Sequence, residues 1–241
     1  MSTEKLFLDA AKIALPEFAL PELAEKLSIL TETLADVGSH MNLTAITEPE
    51  KVVWLHLIDS LHGAALLSEL TLPEGRIADV GSGGGFPALP LAAALPDLHV
   101  TAIDSTEKKC RYIAECAERM GISNVDTKSI RAEEYGRSDG RESFAAVTAR
   151  AVARLSVLTE LCLPLVKVGG YFLAMKGATA EVEAEEAARG AKILGAVEER
   201  RVEYTLGDFA DRRMLILYKK IAPTPEKYPR QYGKISKSPL V

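Results

Sequence analysis

The sequence predicts an α/β protein: a largely parallel sheet covered by helices on both faces, preceded by a helical layer and closed by an antiparallel hairpin. Three observations carry this prediction. Up to about residue 70, apolar residues recur three and four positions apart. From Arg76 onward, short apolar runs alternate with helical stretches, and the last two runs are longer and follow each other directly. A helix between successive strands returns the chain to the same edge and makes those strands parallel, whereas two strands with no helix between them pair antiparallel.

The elements follow in order. In the first zone, PELAEKLSILTETLADVG puts Leu23, Leu27, Leu30, Leu34 and Val37 on one helical stripe. Strands are expected at RIADV, LHVTAID, NVDTKSI, FAAVTAR and GYFLAMK, with GAVEERRVEYTL and RRMLILYKK as the closing pair, which makes a seven-stranded sheet. Residues 1–70 therefore read as an N-terminal helical extension, 71–222 as the sheet domain and 223–241 as a basic C-terminal tail. The chain contains no internal repeat and no low-complexity segment.

Composition narrows the function. With 241 residues, 47% hydrophobic and 26% charged, the chain has the balance of a globular protein. No stretch approaches the roughly 18 apolar residues of a membrane span, and MSTEKLFLDA lacks the basic-then-apolar pattern of a signal peptide. A cytoplasmic monomer with no membrane contact is expected. Cys110, Cys116 and Cys162 form neither a metal-ligand spacing nor a disulfide framework, so they read as reduced packing residues, and no metal is expected.

Charge is unevenly placed. From Lys219 to the end, Lys219, Lys220, Lys227, Arg230, Lys234 and Lys237 face Glu226 alone, so this segment carries +5 and the remaining chain −10. Pro223, Pro225, Pro229 and Pro239 resist helix, and Tyr228 and Tyr232 can stack on bases. Such a segment suits an RNA-binding arm; a solvated terminus is the plainer alternative.

The most informative stretch is IADVGSGGGFP, residues 77–87. If RIADV is the first strand, Gly81, Gly83 and Gly85 form the turn after it and PALPLAAAL is the next helix, so a ligand would lie at the carboxyl edge of the sheet. A dinucleotide site asks for G-x-G-x-x-G around a pyrophosphate. Here the spacing is G-x-G-x-G, two residues after Asp79. An acid there repels phosphate but accepts from the ammonium of an amino-acid ligand, directly or through water. S-adenosylmethionine fits: a nucleoside, a sulfonium and an amino acid without phosphate. Asp104, at the end of the second strand, is placed to accept from both ribose hydroxyls, with Ser105 and Thr106 beside it. Beyond the third strand, the backbone of Ala132 and Glu133 can meet the adenine edge. The structural alternatives are that Asp104 caps the next helix and that Asp79 is a turn residue.

The stretches MNLTAIT, HLIDSL, DVGSGGGFPALPLA, AIDSTEKKCRYI, SIRAEEY, TARAVA, AMKG and TPEKYPR…KSPL together make the chain closely resemble the RsmG (GidB) family of 16S rRNA guanine-N7 methyltransferases. The resemblance covers nearly the whole chain. It implies a class I, Rossmann-like methyltransferase domain behind a helical extension, S-adenosylmethionine as donor and S-adenosylhomocysteine as product. The acceptor it implies is N7 of one guanine in the 16S rRNA of the small ribosomal subunit. Gly84, Ala88 and Thr148 depart mildly from the commonest family residues. A methyltransferase of the same fold acting on a protein or a small molecule is the second reading, and a non-catalytic nucleotide-binding module the third.

The residues suit this chemistry on their own terms. Guanine N7 has a free lone pair and no proton to lose, so no general base is expected, and no His–carboxylate or cysteine nucleophile constellation stands out. The Asp/Asn-Pro-Pro-aromatic motif of amino-methylating enzymes is absent after the fourth strand, where TARAVA stands. Arg150, just past that strand, can bind an oxyanion or a guanine edge; the family resemblance favours contact with the cofactor's carboxylate and leaves RNA as a second role. Lys176 ends the fifth strand at a place suited to a phosphate, or is a solvated strand end. Asn42, His56, Asp59 and Ser60 match family pieces, and His56 and Asp59 lie one helical turn apart. The pair either meets RNA or fastens the helical layer to the sheet. Phe86 packs on the cofactor or the acceptor base, or is core. The RNA-binding candidates are thus Asn42, His56, Arg150, Lys176, Lys227, Arg230, Lys234 and Lys237.

Overall fold

A computed structural model describes residues 1–41, 43–209 and 212–241. The N-terminal layer is built from α1 (Thr3–Ala14), α2 (Pro21–Met41), the short α3 (Pro49–Val52), a wide π-type turn at Val53–Ile58 and α4 (Asp59–Ser68). Ser2 caps α1 through its side chain. Leu23, Leu27, Leu30 and Leu34 of α2 are buried as their spacing requires. Removing each leucine side chain from water stabilises by about 1.5–3 kcal/mol.

Seven strands follow: β1 (Arg76–Val80), β2 (Val100–Asp104), β3 (Val125–Ser129), β4 (Phe144–Arg150), β5 (Val166–Lys176), β6 (Ala196–Tyr204) and β7 (Arg213–Lys220). They form one sheet in the order β3-β2-β1-β4-β5-β7-β6. The first five pair in parallel and β7 lies antiparallel between β5 and β6. The connecting helices are α5 (Ala88–Ala94), α6 (Glu107–Arg119), α7 (Ala132–Tyr135), α8 (Leu155–Cys162) and α9 (Ala180–Ile193). The strand order reverses between β1 and β4, the topological switch where doubly wound sheets open a crevice at their carboxyl ends.

Successive side chains of a strand point to opposite faces, and this parity places the functional residues. On β1, Ile77 packs with the N-terminal helices while Ala78 and Val80 pack on the far side; on β4, Ala146 faces the helical layer, and Val147 and Ala149 face away. Asp79, Thr148 and Arg150 therefore face the N-terminal layer, whose helices share one apolar core with that side of the sheet. The outer edge strand β6 carries exposed Glu198, Glu199, Arg200 and Arg201, charges that discourage edge-to-edge pairing.

The C-terminal segment, expected to resist helix because of its prolines, contains one. Residues 232–237 form a helix, α10 (Tyr232–Lys237), whose Ile235 is fully buried, and Tyr228 and Thr224 are buried as well. Lys220, counted among the basic residues of that segment, is inaccessible to solvent and donates to Thr224 Oγ1 and the Leu163 carbonyl. Its burial lowers its pKa to about 8. Among the described residues no helix is long and apolar enough to cross a membrane, and the three cysteines are buried and unpaired.

Candidate functional site

The turn after β1 is shaped by residues that only glycine serves well. Gly81, Gly83 and Gly85 have φ of +75°, +54° and +87°, in the left-handed region that costs other residues free energy. A Cβ on Gly81 would stand 2.4 Å from a Val152 methyl, and one on Gly85 would meet Leu89 at 2.5 Å. The turn is tied to the neighbouring strand, because the amides of Gly81 and Ser82 donate to the Ile103 carbonyl.

Next to it, Asp104 ends β2 with both carboxylate oxygens engaged: Oδ2 accepts from the Gly83 amide at 3.1 Å and Oδ1 from the Thr106 amide at 2.9 Å. It thus braces the glycine turn and turns the chain towards α6. The capping and ligand readings of Asp104 are compatible, since each oxygen keeps a further lone pair and the carboxylate reaches the cavity wall.

That cavity has a volume of 540 Å³, within the usual range for small-molecule sites. It lies at the carboxyl ends of β1, β2, β3 and β4. Gly81, Gly83, Phe86, Asp104, Ser105 and Thr106 line it, and so do Ala132, Glu133, Arg150 and His56. Sequence reasoning missed Leu43, Thr44, Lys109, Val152 and Leu161, which also form its wall. Leu43 and Thr44 lie in MNLTAIT, Lys109 in AIDSTEKKCRYI and Val152 in TARAVA, but no period or spacing singles them out; in the fold Val152 presses against Gly81, Leu43 packs beside Gly84, and the Lys109 ammonium lies 4.0 Å from the Asp104 carboxylate.

Asp79 lies apart from the wall. It is fully buried beneath the turn; Thr148, its register partner on β4, donates to Oδ1 at 2.8 Å, while Oδ2 has no partner among the described residues. Burial raises its pKa from 3.8 to about 6 against the lowering effect of the Thr148 hydrogen bond. Of the two contacts expected for Asp79, direct or through water, burial removes the direct one.

The other side of the cavity is a polar cluster that joins the helical layer to the sheet. Arg150 donates to Asp59 Oδ2 at 2.7 Å and to the Leu55 carbonyl at 2.9 Å, and Tyr204 donates to Asp59 Oδ1 at 2.7 Å. His56 Nδ1 lies 3.2 Å from an Arg150 terminal nitrogen and 3.1 Å from the Leu55 carbonyl, and Nε2 lies 2.8 Å from Thr44 Oγ1, so the ring is held from both of its nitrogens. Burial, reinforced by the Arg150 charge, lowers the His56 pKa to about 4, so the ring is neutral near pH 7. His56 stacks on Phe86 with ring centres 4.7 Å apart. The His56–Asp59 pairing expected from their spacing is replaced by a bridge through Arg150, which fastens the layer to the sheet.

The remaining cationic candidates divide. Lys176 is held by Glu183 at 2.7 Å and by the Ala153 carbonyl at 2.9 Å, outside the cavity wall. Arg230 forms a two-pronged ion pair with fully buried Glu160. Both cations are thus paired with carboxylates inside this fold. Lys227, Lys234 and Lys237 are exposed. Asn42 lies outside the described residues.

The residues fit a nucleoside with an amino-acid tail: Asp104 keeps acceptor capacity for hydroxyls, the backbone of Gly81 and Gly83 lies at the wall, and Ile103, Ile130, Ala132 and Leu161 supply apolar wall. Together with a last strand inserted antiparallel between the fifth and sixth, this crevice defines a class I methyltransferase fold. An rRNA methylase from Streptococcus thermophilus shares that fold, with a TM-score of 0.50 at 19% identity over 67% of this chain and 95% of that one. The chain belongs to the rRNA small subunit methyltransferase G (GidB) family, whose model matches residues 23–212. The ribosomal RNA small subunit methyltransferase G of Staphylococcus saprophyticus is 45% identical over 210 residues, covering 87% of each chain. That of Lactobacillus acidophilus is 39% identical over 242 residues, covering 100% of both.

Proposed function

We propose that this chain transfers the methyl group of S-adenosylmethionine to N7 of one guanine in the 16S rRNA of the small ribosomal subunit. The observation that carries the reading is the meeting of the glycine turn and the Asp104 carboxylate on one crevice of a methyltransferase fold, in a chain of this family. When bound, the cofactor supplies the methyl group on an electrophilic sulfonium carbon. The protein's part is alignment. Asp104 accepts from the ribose hydroxyls, the backbone at Gly81 and Gly83 approaches closely, and the backbone at Ala132 and Glu133 meets the base edge. Arg150 spends one terminal nitrogen on Leu55 and Asp59 of the helical layer, and as a wall residue it offers its other donors to the cofactor's carboxylate.

The acceptor nitrogen has no proton to lose, so the site needs a dry, fixed wall more than a base. Phe86, sandwiched against neutral His56 and 5.6 Å beneath the Arg150 guanidinium, makes such a wall. Exposed Lys227, Lys234 and Lys237 extend the contact to phosphates. The test is to incubate the protein with labelled S-adenosylmethionine and small subunits from a strain lacking the enzyme, then map the label. Label at N7 of one guanine is expected; label in protein, or none, overturns the reading.

A further inference from the structure

The cavity has one wall residue from the far end of the chain. Tyr232, the first residue of α10, lines it together with Arg131, Ala132 and Glu133, and its side chain is 41% exposed. The Arg131 guanidinium lies 5.6 Å from the centre of its ring. This places the ring on the β3 side of the crevice, the side of Asp104, and away from the Phe86–His56–Arg150 wall.

The ring is held there by an unusual amount of structure for a terminal segment. The Arg230 amide and guanidinium both donate to Glu160, the neighbour of the wall residue Leu161. Arg137 donates to the Pro229 carbonyl at 2.5 Å, and Arg141 to the Tyr228 and Thr224 carbonyls at 2.8 and 2.6 Å. Three residues after Tyr232, Ile235 is fully buried. Anchors on both sides of a half-exposed aromatic fix its position, and among the described residues its ring stacks on no other aromatic ring. An aromatic face placed and left open at a cavity edge suits a planar, stackable group.

Resting on the cofactor reading above, we propose that the C-terminal segment is part of the cofactor site and that Tyr232 stacks on the adenine of the bound nucleoside. The planar group follows from the neighbours: Asp104 takes the ribose, so the base attached to that ribose lies beyond it, towards residues 130–133 and the ring. The basic residues Arg230, Arg137 and Arg141 then serve to hold this wall in place.

Calorimetric titration of the full chain with S-adenosylhomocysteine tests this. Tyr232→Ala should weaken binding about tenfold, the scale of losing one base–aromatic stack, while Tyr232→Phe should stay within about twofold because the ring face is kept. In a Trp54→Phe background, Tyr232→Trp places an indole at the same point, and its fluorescence should change on titration with S-adenosylhomocysteine. Affinity unchanged in Tyr232→Ala, or an indole blind to the ligand, overturns the proposal. So does normal S-adenosylhomocysteine binding with weakened binding to small subunits, which would assign the ring to the RNA. If wild type itself fails to bind S-adenosylhomocysteine, the cofactor reading falls, a result distinct from variants that match a binding wild type.

Discussion

The glycine turn at residues 81–86 and the C-terminal segment at residues 223–241 border the same cavity, yet their sequences differ in what they disclose. The turn shows its purpose in its own residues. Three glycines with positive φ, followed by an apolar helix, make sense only where backbone must fold tightly and come close to something. The segment shows a surplus of positive charge, and charge names no partner. In the fold, Arg230 finds buried Glu160 and Lys220 disappears under Thr224. A local backbone requirement is therefore a firmer guide to function than a run of like charges, because the requirement is met within the turn itself, whereas a cation can be neutralised by any carboxylate that the fold delivers.

The comparison is broken most forcefully at Arg230. If the segment is packed structure, Arg230→Ala strands the Glu160 carboxylate in the interior and should cost about 3–5 kcal/mol of stability, read as a fall in the midpoint of urea denaturation. Deleting residues 223–241 should be at least as damaging. An unchanged midpoint in Arg230→Ala would restore the segment to a free arm.

On the side of the turn, Asp79 gives the next largest effect, visible as a pH dependence. In the unfolded chain its carboxyl ionises near 3.8, and burial raises this to about 6 in the fold. The folded state thus binds more protons between those values, so the stability Asp79 contributes is complete below about pH 4 and is lost as pH rises through about 6. Asparagine cannot ionise. Asp79→Asn should therefore gain on wild type by about 2–3 kcal/mol between about pH 4 and pH 7, measured by denaturant titration at both values. An equal difference at the two would show that the carboxylate is not isolated under the turn.

Asp104 sharpens the contrast by touching both structure and ligand. Asp104→Ala should weaken S-adenosylhomocysteine binding by about 1.5–3 kcal/mol, the scale of hydrogen bonds to a charged group. Melting should also fall, because the Gly83 and Thr106 amides lose their acceptor. Lower stability with unchanged affinity would reduce Asp104 to a brace.

The smallest effect expected is none. His56 is lowered to about 4 and Asp79 raised only to about 6, so both have changed charge by about pH 7, and transfer to N7 has no proton to remove above it. Single-turnover rates should be flat there. A tenfold rise per pH unit would reveal a base and set the chemistry apart from simple alignment.

The sequence by itself determined the seven strands, their alternation with helices, the antiparallel close, the glycine turn and the acid at the end of β2. Each is coded by neighbours: a period of two or 3.6, a left-handed φ, a polar residue at a strand end. Tertiary structure decided which charges are spent. Arg150 and Asp59 stand 91 residues apart, Tyr204 and Asp59 145, and Arg230 and Glu160 70; nothing local links these partners. The same holds for Asp79, exposed to a ligand by its sequence position and sealed beneath the turn by packing, and for Tyr232, which composition assigned to RNA and the fold set at the cavity wall. Burial and pairing are properties of the whole assembled core. They are fixed only when elements far apart in the chain close on one another and water is excluded between them.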